Sequence, residues 1–69
     1  MIRADDAAQL AKFDARPDVK AVVVADDGGG RAWRQATGSL DNARRDMKRF
    51  QWPGAVLCRR AKGGWQVVS

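Results

Sequence analysis

Val19-Lys20-Ala21-Val22-Val23-Val24-Ala25, followed at once by Asp26-Asp27-Gly28-Gly29-Gly30, is the stretch on which the fold turns. The first seven residues are rich in β-branched side chains and too short for a typical helix, so they read as a strand. Apolar residues occupy both of its faces, which places it in the interior of a sheet. The glycines that follow take positive φ at no steric cost, and Arg31 to Thr37 beyond them read as the partner strand of a hairpin. A phosphate-loop reading fails on spacing: neither the spaced glycines of a dinucleotide loop nor a Gly-Lys-Ser/Thr ending is present, and no helix begins after them. Asp26 and Asp27 alone supply too few oxygen ligands for a cation, and a solvated turn is the simpler reading.

On the N-terminal side, residues 5 to 15 predict a helix. Asp5 and Asp6 suit a cap and the positive end of the dipole, and Ala7, Leu10, Ala11 and Phe13 give an apolar stripe. Arg16-Pro17-Asp18 ends it, because a residue before proline is pushed out of the helical region. On the C-terminal side, Ser39 is a good N-cap, and Leu40, Ala43, Met47 and Phe50 recur at helical spacing as a core stripe. Asp41 is placed to pair with Arg44 or Arg45, and Asp46 with Arg49. Trp52-Pro53-Gly54 stops this helix. Ala55 to Arg60 then form a strand, Ala61-Lys62-Gly63-Gly64 a turn, and Trp65 to Val68 the closing strand.

The resulting order, αββαββ, is an α+β domain with a small antiparallel four-stranded sheet and two helices. It reads as a single compact domain over residues 1–69, with an N-terminal helix at 5–15 and a ββαββ unit at 19–69. The expected packing lays one sheet face on the helices and leaves the other largely to solvent. Trp33, Trp65 and Val67 are then inward, with Arg34 and Gln66 outward. In strand 55–60 either Val56 with Cys58 or Leu57 is the core side, so Arg59 and Arg60 lie on opposite faces.

Composition narrows the chemistry. The 69 residues are 45% hydrophobic and 30% charged, which argues for a folded chain. A domain of this size buries only about 60% of its unfolded surface, so its core is thin. With no histidine, no glutamate and one cysteine, Cys58, the usual zinc ligand sets and any internal disulfide are missing, and no metal or cofactor is expected. Cys58 lies in an apolar run and reads as a buried thiol without an activating base. An enzyme is not expected. The longest apolar run, Ala21 to Ala25, is far short of a membrane span, and Met1 to Asp6 lack a signal-peptide h-region. A soluble protein of a bacterial cytoplasm is the expectation; the all-aspartate acids and the abundance of arginine and alanine match GC-rich bacterial or bacteriophage coding.

The net charge of +5 is unevenly placed. Residues 1 to 30 hold four bases and six acids, a net of −2; residues 31 to 69 hold nine bases and two acids, a net of +7. The candidate binding residues are Arg31, Arg34, Arg44, Arg45, Lys48, Arg49, Arg59 and Arg60, with Lys62 nearby and Trp52 as an apolar anchor or stacking ring. Either they converge on one surface that attracts phosphate backbones or an acidic protein patch, or they are separate solvated faces. No RNA-binding aromatic motif and no helix-turn-helix is present, so sequence-specific readout is not expected.

The hairpin, the helix opening Ser39-Leu40 with Ala43 one turn on, the strand after Gly54 and the last hairpin at Gly64-Trp65 are together similar to some very small phage-encoded anti-CRISPR proteins. The resemblance spans residues 19 to 69. It implies a non-enzymatic inhibitor that binds a CRISPR surveillance complex, a Cas protein or a Cas–guide RNA complex, and blocks access of target DNA. The alternative is a small basic accessory protein that binds DNA or RNA with little sequence specificity. The thin core leaves open a homodimer built by pairing sheet edges.

Overall fold

The fold is a four-stranded antiparallel sheet with one helix on each face, seen in a computed structural model that describes residues 2–68. The elements run α1 (Ala4–Leu10), a 3-10 turn (Ala11–Phe13), β1 (Ala21–Asp26), β2 (Arg31–Thr37), α2 (Leu40–Phe50), β3 (Val56–Ala61) and β4 (Gly64–Val67). Across the sheet the order is β2-β1-β3-β4. The strand that opened the sequence reading is therefore interior, paired with β2 on one side and β3 on the other. All five of its residues Ala21 to Ala25 are buried.

The expectation of one solvated sheet face is corrected. Val22 and Val24 pack with Leu10, Phe13, Val19 and Cys58 under α1 and the 3-10 turn. Ala21 and Val23 pack with Ala43 and Leu57 under α2. Alternate residues of one strand thus feed two cores, which is why β1 is apolar without a break. The ambiguity in β3 resolves the same way: Val56 and Cys58 face α1, and Leu57 faces α2. Each fully buried leucine or valine contributes roughly 1.5–3 kcal/mol, so both thin cores depend on a few side chains.

The first helix is shorter than expected, because its last turn tightens to 3-10 geometry before Pro17. Its N-cap is Arg3, with no side-chain cap bond; Asp5 and Asp6 sit in the first turn. The stripe is rotated from the expected one: Ala7 and Ala11 are exposed, and Asp6, Leu10 and Phe13 are buried. The second helix starts as expected, with the Ser39 hydroxyl accepting from the Asn42 N–H at 3.2 Å. It ends at Gln51, whose left-handed backbone (φ 50°, ψ 47°) reverses the chain.

Two edges flank the sheet. In β2 the register shifts, so Val23 opposes Gln35, Val24 opposes Trp33, and Arg34 is the extra residue of a bulge. The Trp33 N–H donates to Gln9 Oε1 at 3.3 Å, so a side chain from α1 occupies part of this edge. No helix among the described residues is long and apolar enough to cross a membrane.

Candidate functional site

The basic residues of the second half divide into those that hold the fold together and those that face outward. Arg31 belongs to the first group. Its side chain is only 5% exposed, and it donates to Asp6 at 2.8 Å, Asp26 at 2.8 Å, the Gly54 carbonyl at 2.7 Å and the Val24 carbonyl at 3.4 Å. Asp6, first and foremost, and then Asp26 hold the guanidinium pKa above its already high ordinary value. Arg31 is charged at every working pH and has no donor geometry left for a ligand. The Asp6–Arg31 pair joins α1 to β2 across 25 positions, and sequence reading missed it. Its signal was Asp6 lying four residues before Leu10, on the buried side of the helix.

Arg60 is likewise internal. Its Nε donates to the Val19 carbonyl at 2.9 Å, and its Nη2 to the carbonyls of Phe13 at 2.7 Å and Arg16 at 3.0 Å. The guanidinium lies 4.4 Å from the centre of the Trp65 ring, whose Nε1 donates to Asp14 at 3.3 Å. Arg60 thus supplies the donor for the Val19 carbonyl and a second donor to the carbonyls of Phe13 and Arg16, which also accept from the N–H groups of Arg16 and Val19. Arg34 is tied to the β1–β2 turn through the Asp26 carbonyl at 3.0 Å and Asp27 at 3.2 Å. Arg59 donates to Gln66 Oε1 at 3.2 and 3.1 Å across the β3–β4 pair.

The outward group sits on α2. Arg44, Arg45, Lys48 and Arg49 are all exposed. The expected pairs from Asp41 to Arg44 or Arg45 and from Asp46 to Arg49 do not form; Asp46 instead meets Arg45 at 3.6 Å and accepts from Gln35 at 2.7 Å. Exposed helix pairs gain a fraction of a kcal/mol against the entropy of two long side chains, and the half-buried Gln35 amide is the better partner. Among the described residues no carboxylate lies within salt-bridge distance of Arg44, Lys48 or Arg49. Because Asp46 turns one flank of α2 toward β2, helical spacing turns the opposite flank, with Arg44 and Lys48, toward β3 and β4. Arg59 projects on that same sheet face, in register with Gln66. Arg44 and Lys48 thus share one flank of the helix, with Arg45 and Arg49 on its outer surface.

At the C-terminal end of α2 the structure adds an aromatic element. Phe50 is corrected from core to surface, being 54% exposed. The reversal at Gln51 brings Trp52 back against the α2-side core of Ala21, Val23, Ala43 and Leu57. Phe50 stacks outside it, with ring centres 5.2 Å apart and planes 27° from parallel. The Arg49 guanidinium lies 5.3 Å from the Phe50 ring centre. Trp52 is half-buried, both core and platform. The segment behind it is pinned, since the Pro53 carbonyl accepts from the Asp26 N–H at 2.8 Å and the Gly54 carbonyl accepts from Arg31. Trp33 is also corrected: it lies on an edge strand, 42% exposed, edge-on to Phe13 at 5.1 Å. Trp65 is half-buried against the α1-side core, and Val67 is exposed on β4.

An open cleft of about 490 Å³ lies beside the β1–β2 turn, lined by Arg3, Asp5, Asp26, Arg31 and Gly28 to Gly30. Its charges are of both signs and Arg31 is already engaged, so it has no directed attraction for an anion. Cys58 is buried, and desolvation pushes its thiol up to about 11. Comparison with protein-family models, curated proteins and solved structures finds no match. The class defined by the fold is thus a small α+β domain, and the free cations of α2 with the aromatic pair at its end define the candidate site.

Proposed function

We propose that the protein is a non-enzymatic binding module that engages a phosphate-rich partner through the exposed cations of α2. The observation that carries this reading is the set Arg44, Lys48 and Arg49, exposed on one helix and free of carboxylate partners among the described residues. Each cation that meets a phosphate releases counterions, so such a face attracts nucleic acid and its affinity falls with salt. The partner is nucleic acid, alone or within a nucleoprotein complex. The resemblance to small phage anti-CRISPR proteins makes a Cas–guide RNA surveillance complex the first nucleoprotein to test, with the module acting in the bacterial cytoplasm as an inhibitor of target DNA access.

The experiment is fluorescence anisotropy with labelled DNA and RNA, alongside capture of assembled Cas–guide RNA complexes. Three phosphate contacts predict a loss of affinity of about 40-fold between 50 and 200 mM salt. The triple variant Arg44→Glu, Arg45→Glu, Arg49→Glu abolishes binding, whereas reversing the exposed Lys12 and Lys20 leaves it intact. Binding to free nucleic acid identifies the accessory-protein role, and retention of a Cas complex without it identifies the inhibitor. Retention of neither near physiological salt refutes the proposal.

A further inference from the structure

We infer that Phe50 and Trp52 form a stacking platform for an unpaired base, so that the nucleic acid taken by α2 is single-stranded. The inference rests on the reading of α2 as a phosphate-binding face and names the class of strand that face accepts.

The geometry supplies both halves of a nucleotide site. The Phe50 ring is 54% exposed at the last residue of α2, backed by Trp52 at 5.2 Å. Large rings are normally kept out of water, and an exposed ring stacked on a half-buried one offers a flat apolar contact surface. Arg49, directly before Phe50, sets its guanidinium over the ring, 5.3 Å from its centre, so positive charge lies at the platform. A partner that fits must therefore offer a flat apolar face and an anion side by side. A nucleotide in a single strand does so; a duplex buries its base faces in its own stack and presents only phosphates.

The platform is also preorganised. Trp52 is seated in the α2-side core, and the next two residues are held by the Asp26 N–H and the Arg31 guanidinium. Little side-chain or loop freedom is then lost on binding.

The test uses a labelled oligothymidine of about 12 nucleotides, its duplex with oligodeoxyadenosine, and an abasic strand of the same length. The variants are Phe50→Ala and Phe50→Leu; the latter keeps apolar contact with Trp52 but has no flat ring. Wild type binds oligothymidine about 5- to 150-fold more tightly than the abasic strand, the range for one base stack. Both variants lose that factor on oligothymidine, and neither changes affinity for the abasic strand or the duplex. Equal binding of thymidine and abasic strands, or unchanged affinity in Phe50→Ala, overturns the platform while leaving the α2 reading in place. If wild type binds none of the three, the platform falls, and with it the reading of α2 as a face for free nucleic acid.

Discussion

Replacing Arg31 with methionine is the sharpest probe of how this domain holds itself together. The substitution removes the guanidinium from Asp6 and Asp26 and from the carbonyls of Gly54 and Val24. Asp26 is solvated, with its side chain 56% exposed, but the Asp6 side chain is only 3% exposed and keeps no ionic partner. Breaking a buried pair by deleting one member costs about 3–5 kcal/mol. At roughly 0.05–0.15 kcal/mol per residue, a chain of this length has about 3–10 kcal/mol of total stability, so Arg31→Met removes from about a third of it to all of it. The assay is urea denaturation followed by tryptophan fluorescence and circular dichroism. With a slope near 1 kcal/mol per molar, the midpoint falls by about 3 M or more. Adding Asp6→Leu removes the stranded carboxylate and restores most of the loss, a coupling of at least about 2 kcal/mol. An Arg31→Met protein within about 1 kcal/mol of wild type, or a double variant no better than the single, would refute the reasoning.

Three further outcomes are expected. Gly54 has φ +61°, and a Cβ there would sit 2.6 Å from Asp26 Oδ2 and 2.9 Å from Arg31 Nη1; Gly54→Ala therefore costs about 1–3 kcal/mol, read from thermal melting. Arg60→Met leaves the Val19 carbonyl without a donor, takes one of two donors from the carbonyls of Phe13 and Arg16, and removes the cation from Trp65, costing about 2–4 kcal/mol, and Arg60→Lys recovers only part because an ammonium cannot reproduce the planar fork; a melting temperature within 2 °C of wild type, roughly half a kcal/mol in a domain this small, would count against it. Burial raises the Cys58 thiol from 9.0 to about 11, so its contribution to stability is full below about pH 9 and is lost as pH rises from 9 to 11. Native protein at pH 8 accordingly resists thiol-reactive dyes until urea is added, and rapid labelling without denaturant would show that reading to be mistaken.

Much of the architecture was legible because local signals agreed with one another. The uninterrupted apolar run of β1, the glycine turn, the Ser39 cap and the Trp52-Pro53-Gly54 stop each has one physical reading, and each stands in the structure. What stayed hidden depends on which distant groups meet. A run apolar on both faces is compatible with a strand buried by two helices, yet nothing local says that α1 and α2 take opposite faces. The same limit applies to charge. Arg31 and Arg60 look no different in sequence from Arg44 and Arg49; only the approach of Asp6 to one, and of the carbonyls around Phe13 and Val19 to the other, turns them inward. Phe50 escaped because helical periodicity continues through it, whereas the chain reverses one residue later and Trp52 packs on the core with Phe50 stacked against it.

The two cores share a single strand, and this bears on how the molecule comes apart. Val22 and Val24 cannot leave the α1 side without displacing Ala21 and Val23 from the α2 side, since all four belong to one pleated segment. A partly opened form in which one helix lifts away keeps the backbone pairing of β1 but exposes to water the β1 side chains that face that helix. Both helices thus lean on the same central strand: calorimetric and van't Hoff enthalpies are expected to coincide, and the amide protons of Val22 to Val24 to be the slowest to exchange.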